Sequence, residues 1–183
     1  MFNSKENKEL IGDKKSFKKE IIETIVIVAV IFLIFQYLLM SVRVQGTSME
    51  PTYVDGERGV MVRASFLNKA DYHDVVVVDY FDEDKQQSEL IVKRVFGMPN
   101  DTVQIKDNVV LVNGVAARDD TKSPDTVMED MDAVTLSSDE YFILGDNRNV
   151  SLDSRIIGPI KKEQIKAING ISYWPVDKIG LIN

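Results

Sequence analysis

The sequence predicts a mostly β domain that follows a single membrane-spanning helix near the N-terminus. Three observations support this prediction. One long apolar run lies at residues 21–40, short segments rich in valine, isoleucine and tyrosine follow it, and clusters of glycine, proline and asparagine separate those segments. β-branched and aromatic residues favour strands, whereas glycine, proline and asparagine favour turns. With 183 residues, of which 44% are hydrophobic, the chain is long enough for one folded domain.

The apolar run at residues 21–40 predicts a transmembrane anchor. Only Glu23, Thr24 and Gln36 interrupt it, and about 20 helical residues span the ~30 Å hydrocarbon core of a bilayer. A buried core helix, the alternative, would be shorter and would show a polar face. A cleaved secretion signal would have an apolar stretch of about 7–15 residues followed by a small-x-small site. This run is longer, and no such site follows it.

Charge predicts the orientation of the anchor and excludes several classes of function. Residues 1–20 contain six lysines and four acidic residues, whereas residues 41–183 contain 16 basic and 24 acidic residues. Basic flanks stay in the cytoplasm, so residues 1–20 are a cytoplasmic tail and residues 41–183 an extracytoplasmic domain. The acidic domain argues against nucleic acid as a partner. With no cysteine and one histidine, the chain has no thiol nucleophile, disulfide or multi-histidine metal site.

The predicted strands follow the anchor in order along the chain. They are residues 58–63, 75–80, 89–96, 109–112, 141–144 and 170–174. Asn113-Gly114 predicts a hairpin with a type I′ turn, and we interpret residues 104–138 as an inserted hairpin region. Within it, the acidic residues 118–132 contain Pro124 and are expected to form an exposed excursion. Residues 159–168 are the only predicted helix outside the membrane.

The first polar segment whose residues could take part in catalysis is Val44-Gln-Gly-Thr-Ser-Met-Glu-Pro-Thr52. Ser48 lies eight residues after Met40, which is at most ~28 Å of extended chain, so it is expected near the membrane surface. Gly46 allows a close backbone approach, and Pro51 stiffens the exit from the segment. Taken alone, the segment also fits an ordinary serine in a turn.

The second segment is Leu90-Ile-Val-Lys-Arg-Val-Phe96. Because alternate side chains of a strand share a face, Lys93 lies on the same side as Ile91 and Val95, and Arg94 lies on the other. Apolar neighbours desolvate the lysine, which lowers its pKa and allows the neutral amine to act as a base. An isolated lysine also fits a snorkelling side chain at a sheet edge.

The third segment, residues 145–155, contains two residues each of Asp, Arg, Ser and Asn. Asp146 or Asp153 could pair with Arg155, and Ser151 could hydrogen-bond a neighbouring side chain. A solvated polar loop is the alternative.

A serine hydroxyl needs a base that removes its proton, and the three segments offer one candidate. His73 is the only histidine, but it lies in a charged turn, Asp71-Tyr-His-Asp74, where a structural role is expected. A Ser48–Lys93 dyad, a known variant of the serine-protease triad, remains.

The three segments together resemble the motifs of type I signal peptidases. The resemblance covers Ser48-Met-x-Pro-Thr52, Lys93-Arg-Val-Phe-Gly-Met-Pro-Asn-Asp101 and Gly145-Asp-Asn-Arg-x-x-Ser-x-Asp-Ser-Arg155, in the family's order and directly after an anchor. The single anchor and small insertion resemble the Gram-positive form of these enzymes. The resemblance therefore implies a signal-peptidase-like β-sheet catalytic domain.

The resemblance also implies a role for each matching position. Ser48 is the expected nucleophile, Lys93 the general base, and Ser151 the residue that hydrogen-bonds and orients the Lys93 amine. Asp146 and Arg155 are expected to form an ion pair with Asp153 nearby, and the Ser48 backbone N–H to hold the oxyanion. Gly46 stands where some family members carry a second donor, a serine hydroxyl. Met49, Ile91 and Val92 are expected to line shallow apolar pockets.

The function implied is that of a serine endopeptidase in a bacterial cell membrane. It would remove signal peptides from secretory preproteins at small-x-small sites, next to the export channel and membrane lipid, and it would need no metal or other cofactor. Three alternatives are a non-catalytic preprotein-binding relative, a self-cleaving regulator, and an anchored structural β-domain. The first would be expected to lack Ser48, Lys93 or Ser151, and the second would carry a DNA-binding segment instead of an anchor.

Overall fold

The computed structural model describes residues 4–67 and 69–182, with side chains described from residue 17 onward. The chain divides into two units, Met1–Leu38 and Leu39–Asn183. The first unit contains helix α1 (Ser4–Leu38). Its part Phe17–Leu38, with a mean hydropathy of 2.5, is long and apolar enough to cross a membrane. The predicted run extended to residue 40, but its last two residues belong to the first strand.

The second unit is built almost entirely of strands, which confirms the predicted mostly β fold class. The strands are β1 (Leu39–Arg43), β2 (Arg58–Arg63), β3 (Val75–Asp82), β4 (Gln87–Gly97), β5 (Thr102–Lys106), β6 (Val109–Val112), β7 (Val115–Ala116), β8 (Met131–Thr135), β9 (Glu140–Leu144), β10 (Ile160–Lys161), β11 (Ile165–Trp174) and β12 (Gly180–Ile182). A short helix, α2 (Ser154–Ile157), and three 3₁₀ turns (Ala64–Phe66, Lys162–Gln164 and Val176–Lys178) complete the described elements.

The larger sheet has eight strands in the order β1-β2-β11-β3-β4-β9-β10, with β12 paired to β11. Strand β3 pairs antiparallel with β4 over its whole length, with Val76 opposite Lys93. On its other side, β4 pairs with β9 only from Arg94 to Gly97. Within the described chain, the first part of β4 therefore keeps one edge without a strand partner.

The smaller sheet has the order β7-β6-β5-β8. It begins at Thr102, two residues before the region, residues 104–138, that was interpreted from the sequence as an insertion. Asn113 and Gly114 connect β6 to β7 with φ angles of 52° and 79°, as a type I′ turn requires. Phe96 of β4 and Leu144 of β9 pack in one buried cluster with residues of this sheet. The second sheet is thereby fixed beside the ends of two strands of the first.

The valines of β3 explain why both faces of the larger sheet are buried. Val76 and Val78 pack in one hydrophobic cluster, whereas Val75 and Val77 pack in another. Alternate side chains of a strand point to opposite faces, so a continuous valine run predicts a strand covered on both sides. Each such buried side chain contributes about 1.5–3 kcal/mol to folding.

The predicted helix at residues 159–168 is wrong. Strand β10, a 3₁₀ turn and the start of β11 occupy this range. Strand β11 lies between β2 and β3, and its Ala167 and Ile168 are buried there. Hydrogen bonds from two neighbouring strands and burial on the sheet outweigh the weak helical preference of so short a segment.

Candidate active site

The loop between β1 and β2 presents Ser48. Two backbone hydrogen bonds close the loop at its base, from Val44 N to Glu57 O and from Gly56 N to Val44 O, at 2.8 and 2.9 Å. Within the loop, Gly46 adopts a φ of 81° and its N–H donates to Asp55 Oδ1 at 2.8 Å. A left-handed φ is accessible to glycine at little cost, which explains this residue here.

Lys93 and Ser48 contact each other directly. Lys93 Nζ donates to Ser48 Oγ at 2.9 Å and to the carbonyl oxygen of Val92 at 2.9 Å. The lysine is only 3% exposed. Burial lowers its pKa to about 8, although the Asp153 and Asp146 carboxylates act in the opposite direction. A substantial fraction of this amine is therefore neutral at mildly alkaline pH, as a general base requires.

Asp146 connects the three polar segments. Its buried carboxylate accepts hydrogen bonds from Arg94 Nε and Nη2, both at 2.9 Å, and from the hydroxyl of Thr52. The predicted pairing of Asp146 with Arg155 is wrong, because Arg94 occupies this carboxylate. Arg94 follows the catalytic lysine candidate on β4 and points to the opposite face, so one strand supplies both the amine and the cation that holds Asp146.

Arg155 pairs with Asp153 instead. Arg155 Nε donates to Asp153 Oδ1 at 2.8 Å, and Arg155 Nη2 donates to Asp153 Oδ2 at 2.9 Å. The same carboxylate caps the start of helix α2 and accepts the N–H of Gly145 at 3.0 Å. Because α2 begins directly after Asp153, its first turn brings the arginine side chain back to the capping carboxylate.

Gly145 lies where no larger residue fits. A Cβ atom at this position would collide with the carbonyl oxygen of Ser48 and with Ser151 Oγ. Ser151 is 4% exposed, and its hydroxyl has no hydrogen-bond partner among the described residues. The structure thus lacks the predicted bond between Ser151 and Lys93, because the amine is directed to Ser48 and the Val92 carbonyl while the hydroxyl lies against Gly145.

Comparison with known proteins identifies the family. The family described as signal peptidase, peptidase S26, matches residues 18–174. The chain belongs to this family. Signal peptidase I of Bacillus licheniformis is 30% identical over 179 residues, covering 91% of this chain and 94% of that protein. Signal peptidase I of Bacillus amyloliquefaciens is 33% identical over 167 residues, covering 84% and 87%. Signal peptidase IB of Staphylococcus aureus (strain COL) is 30% identical over 179 residues, covering 86% and 92%.

Membership in the signal peptidase family identifies the chain as a peptidase and supports removal of signal peptides as its activity. The serine and lysine that contact each other are the residues predicted to carry this chemistry.

His73, the only histidine, has different surroundings. Its ring packs edge-on against Phe96, with centroids 5.4 Å apart, and it lines a surface recess with Arg118 and Asp120. Burial and the nearby Arg94 lower its pKa. Within the described residues, no hydrogen bond joins the imidazole to Ser48, as expected for a histidine with a structural role.

The three residues expected to line substrate pockets have different surroundings. Val92 borders a narrow apolar cleft of about 10 Å³ together with Val44, Tyr53 and Met61. Met49 is 1% exposed and packs within the hydrophobic core, and Ile91 packs against the cluster on the other face of the sheet. Val42 and Val44 also line this cleft. Their alternation, soon after the apolar helix, is the pattern in the sequence that could have identified them.

Arg148 and Asp119 form a buried ion pair that the sequence did not reveal. Arg148 Nη1 and Nη2 donate to the two Asp119 oxygens at 2.8 and 2.6 Å, and Arg148 Nε donates to the carbonyl oxygen of Gly145 at 2.7 Å. The guanidinium also lies 4.8 Å from the centre of the Phe96 ring. No local pattern predicts a pair whose members are 29 residues apart.

This pair belongs to a wider set of contacts that attach residues 118–132, the predicted exposed excursion, to the rest of the domain, although about half of these residues are exposed. The N–H of Ser123 donates to the carbonyl oxygen of Asp146 at 3.0 Å, and the hydroxyl of Thr121 donates to the Asp146 carboxylate at 3.2 Å. Asn149 accepts the N–H of Val127 at 3.1 Å. These bonds hold the acidic stretch against the third polar segment, and they do so where the stretch precedes β8 and forms no strand.

Proposed function

We propose that the chain is a membrane-anchored serine endopeptidase that removes N-terminal signal peptides from exported preproteins, with Ser48 as nucleophile and Lys93 as general base. The observation that carries this proposal is the 2.9 Å hydrogen bond between the Lys93 amine and the Ser48 hydroxyl oxygen, in a chain of the signal peptidase family. Burial of the lysine supplies the lowered pKa that the role demands.

The reaction proceeds through an acyl-enzyme. Neutral Lys93 accepts the hydroxyl proton while Ser48 Oγ attacks the carbonyl carbon of the scissile peptide bond. The ammonium then gives that proton to the leaving nitrogen as the C–N bond breaks, which leaves an ester on Ser48 and a free N-terminal amine on the mature chain. A water molecule, deprotonated by the same amine, hydrolyses the ester and releases the signal peptide.

The backbone N–H of Ser48 is the donor for the oxyanion. This N–H makes no hydrogen bond within the described part of the chain, and a preorganised donor at the nucleophile stabilises the developing charge. Gly46 has no hydroxyl, and its own N–H is used by Asp55. Gly46 therefore does not supply the second donor that some relatives have at this position.

The buried Ser151 hydroxyl supports the lysine after proton transfer. An unpaired buried hydroxyl costs about 1–3 kcal/mol, and such groups in folded proteins call for an explanation. We assign Ser151 the role of accepting a hydrogen bond from the Lys93 ammonium when it forms. The hydroxyl lies on the Gly145 side of the site, against the residue that also contacts the Ser48 carbonyl.

The substrate binds as an extended strand. The edge of β4 before Arg94 has no strand partner in the described structure, so a peptide can add there through main-chain hydrogen bonds. Side chains of an extended peptide alternate between faces, so residues one and three positions before the cut both face the enzyme. The cleft at Val92 and Val44 is narrow and apolar, which selects small side chains at such positions.

The anchor keeps the active site close to the outer membrane surface. The apolar helix ends at Leu38, and Ser48 follows ten residues later, at most about 35 Å along the chain. The basic tail fixes the N-terminus in the cytoplasm. The signal segment of a preprotein is still in the bilayer at this stage, next to the export channel and lipid. Its cleavage site then lies at the same height above the membrane as Ser48.

Cleavage of a purified preprotein tests the proposal. Wild type, Ser48→Ala and Lys93→Ala are assayed as full chains in detergent or lipid, and the new N-terminus of the product is sequenced. We expect a cut after a small-x-small site by wild type and a loss of at least about 10³-fold in kcat for each variant. Folded wild type that cuts nothing would favour a preprotein-binding protein without catalytic activity.

A further inference from the structure

A second groove borders the active site at Ser151. It has a volume of about 660 Å³ and lies between the acidic stretch and the third polar segment. Its walls include Val127, Glu129, Asp130, Val150, Ser151 and Ile156. Neither residue of the Ser48–Lys93 pair lines it, but Ser151 connects the two places, because its hydroxyl lies against Gly145, which contacts the Ser48 carbonyl.

The apolar residues of this groove are unusually exposed. Val127, Val150 and Ile156 are 75%, 60% and 70% exposed. Single exposed apolar side chains are common on protein surfaces, but several around one groove mark a place where another molecule binds. Burial of this surface by a ligand would recover hydrophobic free energy that the free enzyme lacks.

The groove is also negatively charged. Its two arginines are already neutralised, Arg148 by Asp119 and Arg155 by Asp153. Glu129 is exposed and makes no hydrogen bond or ion pair within the described residues, and Asp130 accepts only the backbone N–H of residue 107. Charge complementarity therefore favours cationic groups and disfavours anionic groups in the groove.

The direction of the bound peptide follows from the proposed chemistry. The cleft at Val92 takes residues before the cut, and the next residue of β4 is Lys93. An extended peptide that passes Ser48 continues beyond it, on the side away from this cleft. Gly145 contacts both the Ser48 carbonyl and the Ser151 hydroxyl. Ser151 is therefore the residue that connects Ser48 to the lining of the groove.

We propose that this groove binds the first residues of the mature chain, immediately after the cut, and that it favours apolar or basic side chains over acidic ones. The inference rests on the proposed function and adds a binding site for the part of the preprotein that follows the scissile bond. The groove thereby makes the mature sequence, and not only the signal peptide, a determinant of cleavage.

Three preproteins that share one signal peptide and one cut site test this inference. They carry neutral, lysine or glutamate residues at positions two to five after the cut, and the full-length enzyme in detergent cleaves each. We expect kcat/KM for the lysine form to exceed that for the glutamate form by about three- to tenfold, with a smaller difference at high salt. Equal values would overturn the inference while leaving the proposed function intact. Cleavage of none would contradict the proposed function itself.

A charge reversal locates the effect. Glu129→Lys is expected to invert the preference between the lysine and glutamate preproteins. Asp132→Lys makes the same charge change on an exposed residue that does not line the groove, and it should keep the wild-type preference. If both variants shift the preference equally, the net charge of the enzyme and not the groove is responsible, and the inference fails.

An apolar substitution tests the second property. Ile156→Ser is expected to raise KM severalfold for the neutral preprotein with little change in kcat, because it removes binding that is equal in ground and transition states. Val115→Ser is the matched control, since Val115 is also 70% exposed and lies on β7 of the second sheet. An unchanged KM for Ile156→Ser would contradict the proposed contact.

Discussion

The amine of Lys93 lies 2.9 Å from the hydroxyl oxygen of Ser48, although 45 residues separate the two in the chain. The lysine comes from the middle of a buried strand, whereas the serine comes from a loop closed by its own hydrogen bonds. Rigid elements thus hold both groups, and little conformational freedom is lost when they meet. Four predictions follow from this arrangement and from the contacts around it.

The rate of cleavage should rise with pH through about 8. Lys93 acts as a base only when neutral, and its pKa is lowered to about 8 by burial, so at pH 7 about one tenth of the molecules carry a competent amine. The measurement is kcat/KM between pH 6 and 10. His73→Ala should give the same profile. A profile that rises toward acid, or one that His73→Ala abolishes, would contradict the lysine base.

Lys93→Met should make the folded protein more stable at pH 7. The pKa of the amine is about 8 in the fold and 10.5 ordinarily, so between these values the unfolded chain binds more protons and stability rises with pH. Below pH 8 the buried ammonium costs on the order of 3 kcal/mol. Thermal unfolding should show the largest gain below pH 8 and convergence with wild type above about pH 10.5. A destabilised variant at pH 7 would show that packing or hydrogen bonding at Lys93 outweighs the cost of its burial.

Gly145→Ala should impair catalysis and folding together. The added Cβ collides with the Ser48 carbonyl oxygen and Ser151 Oγ, and relief of such a clash costs about 1–3 kcal/mol. Because the clash displaces the nucleophile segment, kcat should fall more than KM changes. Gly180→Ala is the control, since its nearest neighbour, Lys178 O, lies 3.9 Å away. Normal activity of Gly145→Ala would mean that the segment tolerates the displacement.

Asp119→Ala and Asp120→Ala should differ sharply despite being neighbours. Asp119 pairs with the fully buried Arg148, so its loss leaves an unpaired buried cation and costs about 3 kcal/mol. Asp120 pairs with Arg118 at the exposed surface, and its loss should leave the melting temperature unchanged. Circular dichroism melts of the two variants make the comparison. Similar melting temperatures would show that the Asp119–Arg148 pair contributes no net stability.

The strands of the larger sheet were predictable because their residues favour extended structure locally. Residues 58–63 form β2 as predicted, and the valine run from residue 75 opens β3. Strand β5 was not predicted because only two of its five residues are apolar, and strand β1 was not predicted because its pairing with β2 is long-range. The false helix at residues 159–168 arose for the same reason, since only partners distant in sequence turn that segment into a strand.

The part of the site that could be predicted consists of residues whose own side chains have the required chemistry. Ser48 and Lys93 were identified by residue type and context, and the structure brings them together. The pair of Asp153 and Arg155 was one of two pairings that the sequence left open, whereas the partner of Asp146 was not identified, because several arginines could reach it from a plausible loop. Only the alternation of β4, which places Arg94 opposite the catalytic lysine candidate, decides between them. Nothing in the sequence indicated a role for Asp119, because its partner Arg148 becomes a neighbour only after folding.

The proposed addition of a substrate strand to β4, at the edge that lacks a partner among the described residues, has a consequence for when cleavage can happen. A polypeptide joins such an edge only while its own main-chain N–H and C=O groups are unengaged. A segment already folded into its own helix or sheet has none to offer. The enzyme would therefore distinguish nascent from finished proteins by conformation, and the same small-x-small sequence inside a completed fold would escape it.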